Sequence, residues 1–192
     1  DLPARQQTLQ GAIDWSYQLL NADEQRLFQR LSVFAGGCSF EAAEAVGNLS
    51  GDVDVLNGLE SLVDQSLLKQ RGLNGEPRFV MLETIREYAH QKLSESGESE
   101  AIGRGHARYF LTLAENYEQA EAFKEREAWL SLFDRELDNF RGALAWSIDK
   151  DTEISLRIVS ALNPYWQARI LHLEGFGWMT KALDKTIDDQ PD

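Results

Sequence analysis

The sequence predicts a mostly α-helical protein with one small β-hairpin, arranged as two parts over residues 1–97 and 98–192. Apolar residues recur at three- and four-residue spacing along most of the chain. One stretch near residues 67–82 switches to two short strand-like runs around a Gly/Asn/Pro turn. The polar segment Ser94–Glu100 carries no hydrophobic period and reads as the boundary.

In the first part, Leu9, Ile13, Tyr17 and Leu20 predict a helix over 8–20. Asn21 stands three residues before Glu24, the spacing of a capping box, in which each side chain satisfies the other's free backbone N–H. A second helix carries Leu27, Phe28, Leu31 and Phe34 and is expected to stop at Gly36-Gly37. A short helix from Phe40 to Val46 follows. The next, over 53–64, has Val55, Leu56, Leu59, Leu62 and Val63 on its apolar side. Strands are expected at Leu67–Arg71 and Arg78–Leu82 around Gly72–Pro77. A last helix over 83–95 turns Ile85, Tyr88, Ala89 and Leu93 inward. Three helices and then a hairpin is the order of a winged helix, here with one helix added before and one after; a generic helical domain with a stray hairpin is the alternative.

The second part shows only helical periods. One stripe is Ile102, Tyr109, Phe110, Leu113 and Tyr117; another is Trp129, Phe133, Leu137, Phe140 and Leu144, with Asp138 a candidate cap for a break. Ile154, Ile158, Leu162 and Tyr165 form a third, where Pro164 is expected to kink the helix, and Phe176, Met179, Leu183 and Ile187 a fourth. Asp149-Lys150 and Asp184-Lys185 recur at about the period of tetratricopeptide (TPR) repeats. Gly142, Ala143, Ala145, Ala161 and Ala182 would let such helices approach closely.

The chain has 32 acidic and 19 basic residues, a net charge of −13, and the excess is spread evenly: 14 acids and 8 bases up to residue 97, 18 and 11 beyond it. This disfavours a whole-surface nucleic-acid binder. A lone cysteine, Cys38, and no apolar run of membrane-spanning length place the chain in the cytoplasm as an expectation. A first residue of Asp1 reads as a piece of a longer soluble protein.

Several runs in order resemble the winged-helix and early repeat region of STAND-type, NB-ARC-like signalling ATPases, as in large LuxR-type and SARP-type bacterial transcriptional regulators. They are Thr8–Leu20, Leu31–Ala43, Leu59–Leu68, Met81–Ala89, His106–Leu111 and Glu136–Leu144. The resemblance implies a winged helix packed on an ATPase core outside this chain and the start of a TPR-like superhelical array that senses a ligand or protein partner. ATP or ADP with Mg²⁺ would belong to that core. This chain has no G-x-x-x-x-G-K-[ST] loop, so no cofactor and no hydrolysis are expected of it. Many relatives end the wing in Met-His-Asp, whose histidine reaches ADP; the matching residues here are Met81, Leu82 and Glu83, so the sensing histidine is absent.

Other candidate chemistry is sparse. His90, His106 and His172 lack metal-ligand spacing, and Cys38 has no partner base in sequence, so core or solvent roles are expected. Gly103-Arg104-Gly105-His106 reads as a flexible helix entry rather than an anion site. Trp146, Tyr165, Trp166 and Trp178, with Trp129 and Phe176, could line a ligand groove, though helix packing accounts for them more simply. The 53–64 helix that would read DNA carries Asp54, Glu60 and Asp64 and no base, while Lys69, Arg71 and Arg78 make the wing basic. Specific DNA contact is therefore expected to be weak, with an independent DNA-binding winged-helix factor as the alternative. If more repeats follow in the natural protein, the last helix exposes apolar surface and invites weak self-association.

Overall fold

The computed structural model describes residues 4–73, 76–119 and 126–188. It divides into two compact units, Asp1–Ile102 and Gly103–Asp192.

The first unit is built around α2 (Ala22–Leu31), which follows α1 (Ala4–Gln18). The capping box forms as the spacing predicts: Asn21 Oδ1 accepts from the Asp23 and Glu24 N–H groups at 3.0 Å, and the Asn21 N–H donates to Glu24 Oε2 at 2.8 Å. Leu27 and Phe28 are wholly buried, and α2 packs against α3 (Phe40–Gly47), α4 (Val55–Asp64) and α5 (Glu83–Ser96). Between α2 and α3 lies a two-residue strand, β1 (Cys38–Ser39), too short to have a readable period. After α4 come β2 (Lys69–Leu73) and β3 (Glu76–Val80), and the antiparallel sheet runs β1-β3-β2. This is a winged helix flanked by α1 and α5. Asn74 and Gly75 of the expected turn lie outside the described residues.

Several sequence expectations need correction. α2 stops at Leu31, with Ser32 as C-cap, so Gly36-Gly37 does not end it and Phe34 is buried from a turn. Gly37 serves β3 instead: its φ is +76°, and a Cβ there would lie 2.5 Å from the Phe79 carbonyl oxygen. Both hairpin strands are shifted by two residues because helix ends compete for the same backbone. The N–H groups of Leu67 and Leu68 both donate to the Leu62 carbonyl, so ladder pairing starts at Lys69. The Leu82 carbonyl accepts from Ile85 and Arg86, which removes Met81 and Leu82 from β3. Leu9 and Leu56, placed on apolar stripes by spacing, are exposed.

The second unit is all helical among the described residues: α6 (Ser99–Gln119) enters it, and α7 (Arg126–Lys150), α8 (Thr152–Ala168) and α9 (His172–Asp188) follow. α7 runs unbroken through Asp138, whose carboxylate is exposed and pairs with Arg141 at 2.9 Å rather than capping a new start. α8 continues through Pro164. The segment Gly103–His106 is interior helix, with Arg104 bonded to Asp151 at 2.9 Å, and not a flexible entry. The side chains of Tyr117 and Ile187 lie outside the described residues.

Neighbouring helices in this unit run antiparallel, and helices two apart run parallel. Gly103 faces Trp146 and Phe110 faces Phe140 across α6 and α7. Arg104 pairs with Asp151 and Glu115 with Arg157, so α8 follows the direction of α6. Arg141 holds Glu174 through two bonds of 2.7 and 2.9 Å, and Asp149 lies 3.9 Å from Lys185, so α9 follows α7. Ala143, Ala161 and Ala182 are buried at the contacts, while Ala145 is exposed.

The described part of the fourth stripe is not buried. Leu173 is 90% exposed and Phe176 69%, with Met179 and Leu183 partly open along α9 and the exposed Ile170 just before it. An apolar face of this kind favours self-pairing. Light scattering over a concentration series is expected to show weak, reversible dimerisation that Leu173→Lys with Phe176→Asp abolishes. A wild-type monomer at every concentration would sink this expectation.

His106 lies fully inside the second unit, 4.7 Å from the Phe110 ring, and shares a hydrogen bond with Asn139, which in turn donates to Glu136 at 2.7 Å. Burial holds its imidazole down to about 3 from the ordinary 6.5, against a smaller opposing effect of the Asn139 bond. Between those values the unfolded chain takes up a proton that the folded unit refuses. Stability is therefore full above the ordinary value and declines as pH falls through the window. The thermal midpoint is expected to drop on acidification through that window, and the slope to flatten in His106→Gln. Identical slopes in both proteins would assign the acid sensitivity to carboxylates instead.

Candidate functional site

In a winged helix the face that meets a partner is formed by the helix before the wing and by the wing itself, here α4 and the β2–β3 hairpin. α4 begins where Asp54 accepts from the Asn57 N–H at 3.1 Å, which commits that carboxylate to capping. Glu60 and Asp64, one turn apart on the exposed side, have no hydrogen bond or ion pair among the described residues. Leu56 shares their side of the helix and is 55% exposed.

The hairpin register sorts the wing into two faces. Gln70 pairs with Phe79 and Gly72 with Pro77 on one face; Lys69 pairs with Val80 and Arg71 with Arg78 on the other. Gln70, Pro77 and Phe79 turn toward α4, lining a groove with Leu56, Leu59, Glu60, Val63 and Asp64. The wing's bases thus point away from α4. Lys69 and Arg71 are exposed, whereas Arg78 donates to the Gly36 and Gly37 carbonyls, both at 2.9 Å, and anchors the sheet. Sequence alone placed these three bases together; the pleat separates them from the acidic helix.

Met81, Leu82 and Glu83 mark the passage from β3 to α5. Leu82 is the N-cap of α5, 45% exposed, and supplies no side-chain acceptor to the first turn. Glu83 pairs with Arg86 at 2.6 Å, and that bond holds its carboxyl below the usual range. Arg86 also donates to the Ser32 carbonyl at 3.3 Å. These residues do not fit a nucleotide phosphate. Leucine has no donor, and the one ionised group is an anion already paired.

Phe176 apart, the aromatic set of the second unit is engaged in packing. Trp146 lies over Gly103 with the Arg104 guanidinium 5.6 Å from its ring. Tyr165 is buried and donates to Asp134 Oδ1 at 2.9 Å, and its ring meets Phe133. Trp166 is buried against Gly175, its indole N–H without an acceptor among the described residues. Trp178 reaches Glu174 at 3.5 Å and carries Lys181 over its ring, and Trp129 meets Phe133. The structure brings no two of Trp146, Tyr165, Trp166 and Trp178 into ring contact, and Phe176 is exposed. Cys38 is buried, His90 and His172 face solvent, and His106 is in the core.

The element order and the short strand β1 define a helix-turn-helix module with a wing. Residues 20–94 match the family model described as "Winged helix-turn-helix domain". Across that domain and well past it, an alignment of 185 residues covering 94% of the chain is 39% identical to the "Putative HTH-type transcriptional regulator Rv0890c" of Mycobacterium tuberculosis and to the similarly described Mb0914c of Mycobacterium bovis. The chain is thus homologous to proteins described as transcriptional regulators. It spans about a fifth of their length (20%). An "Uncharacterized protein Rv0894" of Mycobacterium tuberculosis is 38% identical over 100 residues, half of this chain and 25% of that protein. No solved structure matches the chain.

The uncapped start of α5 yields a test. Leu82→Ser supplies the missing acceptor, and urea unfolding is expected to show a gain of roughly 1 kcal/mol. An unchanged or lowered midpoint would mean that the leucine side chain contributes packing that the cap does not replace.

Proposed function

We propose that this chain is a non-catalytic regulatory segment of a STAND-type transcriptional regulator, acting in the cytoplasm. Its winged helix makes a protein contact, with the ATPase core of the longer protein as the partner, and its TPR-like helical array receives a signal from a ligand or protein. ATP or ADP and Mg²⁺ belong to that core. The observation that carries the reading is the α4 face: two unpaired carboxylates, an exposed leucine and no base, with the wing's cations on the opposite face of the hairpin. Phosphate would be repelled from such a helix, and few counterions would be released on binding. The parallel course of α6 with α8 and α7 with α9 supports the repeat-array part.

A second reading is a winged-helix regulator that contacts DNA directly. The family match and the relatives' description favour it over the first reading, and the exposed Lys69 and Arg71 would be its phosphate contacts. Anisotropy titrations of labelled duplexes at low salt separate the two. The first reading expects no saturable complex, and no change on Lys69→Glu with Arg71→Glu. A submicromolar, salt-dependent complex that the double variant destroys would establish the second.

A further inference from the structure

We propose that the groove between α4 and the wing is a docking site for an amphipathic helix whose apolar stripe is edged with Lys or Arg side chains. This rests on the reading of that face as a protein contact and adds the chemistry of what it holds.

The groove has a volume of about 570 Å³. Its walls come from two kinds of element: α4 supplies Leu56, Leu59 and Val63, the sheet supplies Phe79 and Pro77, and Phe40 at the start of α3 joins them. Leu59 and Phe79 are buried and form the fixed base. Leu56, 55% exposed, stands at the open side. A leucine in that position leaves more than half of its surface outside the core of its own unit. The third turn of α4 makes the contrast plain, because Leu62 on the opposite side is wholly buried against that core.

The rim decides the polarity of the occupant. Glu60 and Asp64 border the apolar floor and lack any ion pair among the described residues. Several other exposed acids of the unit do find cations: Asp23 and Asp52 meet Arg26, Glu83 meets Arg86, and Glu95 meets Lys92. The hairpin could have supplied bases to this rim, but its register directs Lys69, Arg71 and Arg78 to the other face and leaves Gln70 and Pro77 here. An occupant must therefore bring its own positive charge. A helix meets both demands at once: residues at i, i+3, i+4 and i+7 fill an apolar trough, and Lys or Arg on either side of that stripe reach carboxylates one turn apart. Nucleic acid fits the charge poorly, and a neutral apolar molecule would leave the carboxylates unanswered.

The test uses the whole chain and two synthetic amphipathic peptides of identical pattern, one with Leu and Lys, the other with Leu and Glu. Amide spectra recorded during titration are expected to show saturable shifts confined to Leu56, Glu60, Val63, Gln70 and Phe79 with the Leu/Lys peptide and none with the Leu/Glu peptide. Glu60→Lys with Asp64→Lys, both at exposed positions, should weaken the Leu/Lys peptide by about tenfold or more and admit the Leu/Glu peptide. Leu56→Asp should weaken the Leu/Lys peptide as well. Shifts scattered over the acidic surface, or equal affinity in all variants, would overturn the proposal while leaving the protein-contact reading intact. Duplex DNA shifting these same amides would overturn the reading beneath it.

Discussion

The winged-helix unit depends on one buried cation. Arg30 sits on α2 at 4% exposure, beside the wholly buried Leu27 and Phe28. A guanidinium taken out of water is tolerated only when its donors are filled. Here one nitrogen donates to the Gly47 carbonyl at the end of α3, and two reach the Glu98 carboxylate at 3.0 and 2.8 Å. The Glu98 carboxyl is held low mainly by that bond. Arg30 therefore ties the last turn of α3 and the start of α6 to the helix on which α3, α4 and α5 all pack. The loop that launches α4 is fixed from the same side: Asp52 pairs with Arg26 and accepts from Ser50, and Asn48 accepts from the Val53 N–H at 3.0 Å. The direction of α4, and with it the face offered to a partner, follows from these bonds.

In the second unit, ion pairs between helices two apart perform a comparable task. Arg141 with Glu174 and Arg157 with Glu115 join parallel helices, while the apolar seams join antiparallel neighbours. Asp134 accepts from both the Tyr165 hydroxyl and Arg169, fixing the end of α8 against α7. Apolar contact alone would tolerate sliding along the seam, whereas these directional bonds set the register.

Local signals were the most legible in the sequence. The capping box at Asn21 and Glu24 needs only its own four residues, and it formed as its spacing implied. The order of helices and hairpin was legible for the same reason. The hairpin boundaries were not, because Leu67, Leu68 and Leu82 have backbone groups wanted by both strand and helix end, and the helix ends win them. Leu56 illustrates a second limit: periodicity marks an apolar stripe but not which part of its width is covered. A third limit is distance along the chain. Glu136 and Asn139 are polar residues within a long helix, yet they are buried, and His106 on another helix shares their hydrogen bonds. The wing's bases were readable as residues, but their separation from α4 came only from the pairing register.

Cys38 gives this arrangement a built-in reporter. It is the only cysteine in the sequence, 2% exposed, and its strand residue lies opposite Phe79, whose ring forms the floor of the groove beside α4. A thiol reacts as the exposed thiolate, so alkylating reagents reach this one only when the packing around the sheet opens. The rate at which the sulfur is modified thus measures how often the sheet opens, with no label introduced. Any ligand that braces the wing should slow that clock.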